Sequence, residues 1–375
     1  MSLPRPELSR FHEVYKSLPL RSQKKTNGET YHEESYGNDN QDKGHGVAPA
    51  PSPTQGLEDF LANLVSTPAG SHRPFIFNLN GDGSMLIAIP RPQTDVETLG
   101  KAFYYLVTDP WLDGSADFLG EPMFMSLAHL EDPIYRSIAA VELTIRAIEN
   151  AALGQSVTSP SAQGSRPRPG IDGIIISAQL SDHLHQPTLI QGSSQVPILA
   201  AEDTVGILKL LDHFDNIWTI PNLGIGDSNP LPRWLNVLRL PDAGGFTHGI
   251  LITWTATQST RPAGILYAPH GVSVETVQTV LVKSPTVRLL AMLHPVNETF
   301  TEGAPNALGV DSGLRVYRAT NAQVWIQTHD PDFERSGILA QFQAFHPRSI
   351  EEALEASPGP KPNFRPRING GIYQM

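Results

Sequence analysis

The sequence predicts an α/β fold, a four-layer αββα sandwich in which two mixed sheets pack together with helices on the outside. Alternating apolar residues at 75–79 and a second apolar run at 85–89 flank a Gly-Asp-Gly turn, which predicts a β-hairpin. Between 173 and 220, short apolar segments alternate with helical patterns. Several more short apolar segments follow between 234 and 293. Strands that come in runs, with helices between and after them, indicate two sheets in one domain.

The individual elements follow from the spacing of apolar residues, with a period of two in strands and of three to four in helices. The Gly-Asp-Gly turn is interpreted as a hairpin loop, because no helix follows it to form a phosphate-binding site. The predicted strands are 75–79, 85–89, 102–107, 173–177, 196–200, 216–220, 234–240, 248–254, 263–268, 287–293 and 323–327, and the predicted helices are 57–66, 134–153, 203–213, 309–319 and one beginning at Asp182.

Composition divides the chain into a central domain and less regular segments. Residues 1–56 are predicted to be a disordered leader that ends in a Pro/Ser-rich linker. The domain spans 57–350, and a low-complexity stretch at 154–170 is expected to form an exposed loop insertion. Proline and glycine are frequent in 351–375, which predicts an irregular tail.

Charge and composition exclude several function classes. A formal net charge of −11 offers no basic surface for nucleic acid or an anionic membrane. No apolar run is long enough to span a membrane, and the first residues lack the apolar segment of a secretory signal, so we expect a soluble cytoplasmic protein. The chain has no cysteine, so any bound metal must be held by nitrogen and oxygen ligands.

Four of the 13 histidines stand at predicted strand ends beside turn residues: His183, His248, His270 and His329. Binding and catalytic groups favour this location, because the sheet fixes the backbone while the loop keeps the side chain accessible. Asp182 and His183 follow the apolar strand 173–177 and offer two potential metal ligands side by side. The alternative interpretation is four unrelated histidines at the starts of loops.

Four motifs in order carry a family resemblance: DPWLDG from 109, ISAQLSDH from 176, YAPHG from 267 and WIQTHDP from 325. Over roughly 75–345 the chain resembles a fungal branch of the metallo-β-lactamase fold. Members of that branch carry DPWLSG, ISHEFTDH-type, YTPHG and WIGTHDE elements in the same order. The fold's usual His-x-His-x-Asp-His signature is only half retained, because Ala178 and Leu180 stand at the positions of its first two histidines.

The resemblance implies a role for each matching residue. One of the fold's two metal sites would retain Asp182, His183 and His329, with His270 as a fourth candidate ligand. The other site would retain only His248.

Three carboxylates are candidates for supporting or catalytic roles. Asp109 resembles an acidic residue that supports the ligands. Asp182 could ligate the metal or orient the attacking water, and Asp330, next to His329, is a candidate supporting carboxylate or general acid or base. The alternative for Asp330 is a solvated residue in a turn.

The expected function is therefore a hydrolase that uses one divalent metal. Zn²⁺ is the first choice, and Fe²⁺ or Mn²⁺ would also suit the ligands. The substrate would be an ester, lactone or thioester of a small organic molecule, and the resemblance allows a role in fungal specialised metabolism. The alternative is a non-hydrolytic or inactive member of the fold, without a metal, that binds a small molecule or assists a biosynthetic pathway, with Asp182 capping the following helix. The sequence does not determine the oligomeric state.

Overall fold

The computed structural model describes residues 53–68, 70–154, 170–223, 230–242, 246–255, 261–283, 286–330 and 333–375. The predicted leader up to residue 52 and the insertion from 155 to 169 lie outside this range. The chain from 53 to 56, predicted to belong to the linker, is the beginning of a helix.

Eight α-helices and nineteen strands occupy the described residues. The helices are α1 Pro53–Ser66, α2 Gln93–Leu99, α3 Ile138–Ala152, α4 Gln186–Leu189, α5 Glu202–Leu210, α6 Val274–Lys283, α7 Val310–Thr320 and α8 Ile350–Ala356. The strands are β1 Phe75–Asn78, β2 Met85–Pro90, β3 Phe103–Thr108, β4 Ala116–Asp117, β5 Ser126–His129, β6 Gly173–Ile176, β7 Ile198–Ala200, β8 Ile217–Thr219, β9 Leu235–Pro241, β10 His248–Trp254, β11 Ala263–Tyr267, β12 Arg288–His294, β13 Glu298–Thr301, β14 Ala304–Ala307, β15 Val324–Gln327, β16 Phe333–Ser336, β17 Gln343–His346, β18 Phe364–Arg365 and β19 Ile372–Gln374. Two 3-10 helices span Phe118–Gly120 and Ile338–Phe342.

Two large mixed sheets form the centre of the fold. The seven-stranded sheet has the order β19-β1-β2-β3-β6-β7-β8 and is antiparallel from β19 to β3 and parallel from β3 to β8. The six-stranded sheet has the order β18-β15-β12-β11-β10-β9, parallel from β18 to β11 and antiparallel from β11 to β9. The predicted hairpin is β1 and β2.

The sheets pack face to face through one apolar core. Side chains of the seven-stranded sheet such as Ile76 and Leu106 lie in the same buried cluster as Ile250 and Ile265 of the six-stranded sheet. Because successive strand residues point to opposite faces, alternate residues build this core and their neighbours face the outer layers. Full burial of one such side chain contributes about 1.5–3 kcal/mol.

Helices cover both outer faces. On the seven-stranded sheet, Phe60 of α1 lies with its ring centroid 4.7 Å from that of Phe75 and 5.5 Å from that of Phe77. On the six-stranded sheet, Leu266 shares a second apolar cluster with residues of α6, α7 and α8, including Leu314. The structure therefore has the αββα architecture that the sequence predicts.

The C-terminal segment corrects one prediction. In place of an irregular tail, residues 351–375 contain most of α8, which begins with a capping box between Ser349 and Glu352, and two strands. Strand β19 pairs with β1 and forms the edge of the seven-stranded sheet. The three residues of β19 show no strand pattern in the sequence. The strand is defined by its pairing with β1, which is distant in the chain.

Other differences from the predicted elements are local. The predicted helix from Asp182 is a turn that leads to the short helix α4 at Gln186. Helix α6 was not predicted, since its valines and threonines are typical of strands. Two small three-stranded sheets, β14-β13-β17 and β16-β5-β4, were also not predicted. Within the described ranges, no helix has both the length and the apolar character needed to cross a membrane.

Glu149 connects α3 to the seven-stranded sheet through hydrogen bonds. Its carboxylate accepts hydrogen bonds from the backbone N–H of Ala102 at 2.6 Å, the N–H of Phe103 at 3.0 Å and the hydroxyl of Tyr105 at 2.8 Å. All four residues are buried, so water cannot replace a lost partner. Burial raises the pKa of Glu149, an effect that these hydrogen bonds oppose.

We expect Glu149→Ala to lower the free energy of unfolding by about 3 kcal/mol, because it leaves buried N–H and O–H donors without an acceptor. Urea unfolding followed by circular dichroism measures the change. Glu142→Ala, at a half-buried position of the same helix, is the control and should cost less than about 1 kcal/mol. Equal losses in the two variants would contradict the role of Glu149.

Candidate metal centre

Three buried histidines converge at one end of the sandwich. His183 follows β6 of the seven-stranded sheet, while His270 and His329 follow β11 and β15 of the six-stranded sheet. One nitrogen of each lies within 4.8 Å of the others, and the ring centroids are 4.6–4.8 Å apart. The two sheets therefore bring together residues that are far apart in sequence.

The nitrogens face a space that fits a divalent metal. His183 Nε2 and His270 Nε2 are 2.9 Å apart, and Asp182 Oδ2 lies 3.6 Å from His329 Nε2 and 3.9 Å from His183 Nε2. In a tetrahedral site with metal–nitrogen bonds of about 2.0–2.1 Å, neighbouring ligand atoms lie about 3.3 Å apart. These three distances lie on either side of that value, and one nitrogen of each histidine lies within 4.8 Å of the others, so the three histidines could hold one ion with Asp182 beside it.

Two carboxylates orient the histidines. His183 Nδ1 is 2.8 Å from Asp109 Oδ2, and His329 Nδ1 is 2.9 Å from Asp82 Oδ2. Because a carboxylate only accepts hydrogen bonds, each Nδ1–H donates and each Nε2 is directed into the cluster. This carboxylate–histidine arrangement is typical of metal ligands.

Asp109 has the supporting position that the resemblance implies. Its carboxylate also accepts hydrogen bonds from the backbone N–H of Ser177 at 2.7 Å, the Ser177 hydroxyl, and the Tyr267 hydroxyl at 2.6 Å. Burial raises the pKa of Asp109. The charge of His183 and these hydrogen bonds outweigh burial and hold the pKa of Asp109 below its ordinary value. Asp109 is therefore a fully bonded anion that fixes the orientation of His183.

Asp82 was missed as a site residue. It lies in the Gly-Asp-Gly turn of the β1–β2 hairpin, is 3% exposed, and has Arg367 Nη1 3.8 Å from its Oδ1. The turn pattern explains its backbone but gives no signal of its partner, because His329 is 247 residues further along the chain. Its identification required the tertiary structure.

The electrostatics of the cluster favour a cation. Burial lowers the pKa of His329, but the carboxylates of Asp82 and Asp182 outweigh this effect and raise it to about 9. Burial and the neighbouring imidazoles hold the pKa of His270 well below its ordinary value. With Asp109, three carboxylates surround three imidazoles. A bound metal would use the imidazole nitrogens as neutral ligands and displace the proton of His329.

The remaining predicted residues lie outside this cluster. His248 is buried but is not among the residues whose ligand atoms converge. Asp330 accepts hydrogen bonds from the N–H groups of Val296 and Asn297 and from the side chain of Gln327. Burial raises the pKa of Asp330 to about 6. These contacts anchor a loop and give no support to the catalytic role predicted for Asp330.

The chain has similar proteins among solved structures. The sequence matches no protein-family model and no curated protein. Solved structures with a similar fold include a possible metal-dependent hydrolase from Veillonella parvula DSM 2008, with a TM-score of 0.49 and 9% identity over 81% of this chain and 100% of that chain. An isothiocyanate hydrolase from Delia radicum gut bacteria has a TM-score of 0.45 and 13% identity over 80% and 98%. The metallo-β-lactamase-fold protein YhfI from Bacillus subtilis has a TM-score of 0.41 and 12% identity over 81% and 100%.

All three TM-scores lie below 0.5, so we draw functional conclusions from the side chains of this chain and not from the neighbours.

We expect Asp82→Asn and Asp109→Asn each to weaken Zn²⁺ binding about 10- to 100-fold, because the ligating imidazole loses the carboxylate that orients it. Competition with a chromophoric chelator measures the affinity. Asp113→Asn, at an exposed position, is the matched control and should bind as the unaltered protein does. Unchanged affinity in both site variants would show that neither carboxylate supports a metal ligand.

Proposed function

We propose that the protein is a hydrolase that uses a single divalent metal held by His183, His270, His329 and Asp182. The observation that carries the proposal is the convergence of these histidines, with the outer nitrogens of His183 and His329 bonded to buried carboxylates. A single ion is proposed because Ala178 and Leu180 offer no ligand atom and His248 lies outside the cluster.

The residues of the site have separate tasks. A bound divalent ion would supply a Lewis acid and lower the pKa of a bound water, which provides a nucleophile at neutral pH. Asp109 and Asp82 hold the imidazoles of His183 and His329 in place. Asp182, whose Oδ2 lies 3.6 Å from the Nε2 of His329 and 3.9 Å from the Nε2 of His183, completes the ligand set or orients the nucleophile.

A buried aromatic cluster lies beside the metal centre. The ring of His129 stacks on Trp111 at 3.8 Å between centroids, and Phe333 lies 5.2 Å from Trp111 and 6.3 Å from His329. Trp111 and Phe333 are buried, so these rings belong to the apolar core around the site. Because a metal-activated water is suited to attack an acyl carbon, an ester, lactone or thioester of a small molecule is the proposed substrate. A role in fungal specialised metabolism and a cytoplasmic location stay predictions.

One observation favours the alternative of a metal-free binding protein. His183 Nε2 and His270 Nε2 are 2.9 Å apart, the distance of a hydrogen bond between two imidazoles. The two imidazoles can form this hydrogen bond without an ion when His270 Nε2–H donates to His183 Nε2. The two functions differ in whether the purified protein contains metal.

Elemental analysis of the purified protein tests the proposal. We expect about one divalent ion per chain, and loss of that ion in His183→Ala and His329→Ala, because each variant removes one of the few ligands. His346→Ala, at an exposed position outside the site, is the control and should retain the ion. Activity on a panel of aryl esters, lactones and thioesters should decline with the metal content.

Folded protein that contains no metal, and that neither binds added zinc nor hydrolyses any of these compounds, would overturn the proposal. That result would favour the binding protein.

A further inference from the structure

His248 is a buried side chain without an assigned partner. It is 3% exposed, and neither ring nitrogen has a hydrogen-bond partner among the described residues. Buried polar side chains in folded proteins are nearly always hydrogen-bonded. An imidazole that is buried but unsatisfied therefore points to a ligand.

Arg239 lies diagonally beside His248 on the same face of the six-stranded sheet. It pairs with Ile250 across β9 and β10, and His248 precedes Ile250 by two residues, so both side chains lie on the face that packs against the other sheet. Diagonal neighbours on one face are within reach of a long side chain. The buried Nε of Arg239 also has no hydrogen-bond partner among the described residues.

This pair lies next to the metal centre. Ile250 pairs with Tyr267, and extending that antiparallel register by two residues places His248 level with Pro269, directly before His270. Phe246, two residues before His248, has its ring centroid 6.0 Å from that of His270. The hydroxyl of Tyr267 in turn bonds Asp109, which orients His183.

The charge balance favours an anion at this position. Burial lowers the pKa of His248 to about 4, with a further contribution from the charge of Arg239, so its ring is neutral at pH 7 and offers one N–H donor. The carboxylate of Asp109 is already bonded by Ser177, Tyr267 and His183. Arg239 therefore places a positive charge on the same face as an N–H donor that has no hydrogen-bond partner among the described residues, and the carboxylate of Asp203 is a further charge that acts on His248.

We propose that Arg239 and His248 form a subsite for a carboxylate group of the substrate, beside the metal centre. The guanidinium presents N–H donors in a fork that matches a carboxylate, and the imidazole N–H adds a further donor. The inference rests on the proposed function in that the carboxylate belongs to the molecule being hydrolysed. The substrate would thus be an ester, lactone or thioester that carries a carboxylate a few bonds from the scissile carbonyl.

A matched pair of esters tests the subsite in the zinc-loaded protein. The mono-4-nitrophenyl ester of glutaric acid carries a carboxylate, and 4-nitrophenyl butyrate does not. We expect the ratio of their kcat/KM values to favour the anionic ester and to decline at least about tenfold in Arg239→Gln, with partial recovery in Arg239→Lys. Arg233→Gln, at an exposed position before β9, is the control and should keep the ratio.

Binding of glutarate separates this inference from the hydrolase proposal. Calorimetric titration of zinc-loaded protein should give a Kd at least about tenfold weaker in Arg239→Gln than in Arg233→Gln, equivalent to about 1.4 kcal/mol. If glutarate binding depends on Arg239 but no ester is hydrolysed, the subsite stands and the hydrolase proposal fails. If the Kd and the ester ratio are unchanged in Arg239→Gln, the subsite is rejected even where hydrolysis is observed.

Discussion

The buried carboxylate of Asp109 connects the two sheets and orients a candidate metal ligand at the same time. It follows β3 of the seven-stranded sheet and accepts hydrogen bonds from Ser177, after β6, and from Tyr267 of β11 in the six-stranded sheet. A buried charge is costly unless donors surround it, and here His183 completes the set. The position of the site at this end of the sandwich therefore depends on one anion that both sheets must satisfy.

A second carboxylate repeats this arrangement on the other side of the cluster. Asp82 joins the β1–β2 hairpin to His329, which follows β15, and Arg367 of the C-terminal segment lies beside it. His329 has a φ of 48°, a left-handed conformation that is uncommon outside glycine and that places the imidazole toward the cluster. These contacts hold the imidazole of His329 in place, and the surrounding carboxylates would compensate the charge of a bound ion.

The sequence was sufficient for the parts of the structure that follow local rules. Strand alternation defined the β1–β2 hairpin and the central strands, and the position at strand ends identified His183, His270 and His329. Asp82 and Arg239 could not be found in this way, because their partners are set by packing between distant elements. The chemical role that its place beside His329 suggested for Asp330 stays a prediction, and the oxygens of Asp330 accept hydrogen bonds from the backbone at 296–297. Strand β19 was not predicted, because it lies in a segment rich in proline and glycine.

The proposed function depends on a single ion that residues from both sheets hold and that His248 does not bind. Anomalous diffraction from crystals of the zinc-loaded protein, recorded on both sides of the zinc absorption edge, tests this most directly. We expect one anomalous peak, bounded by the Nε2 atoms of His183, His270 and His329 and by the carboxylate of Asp182. A peak bonded to His248, a second peak beside the first, or no peak within this cluster would contradict it.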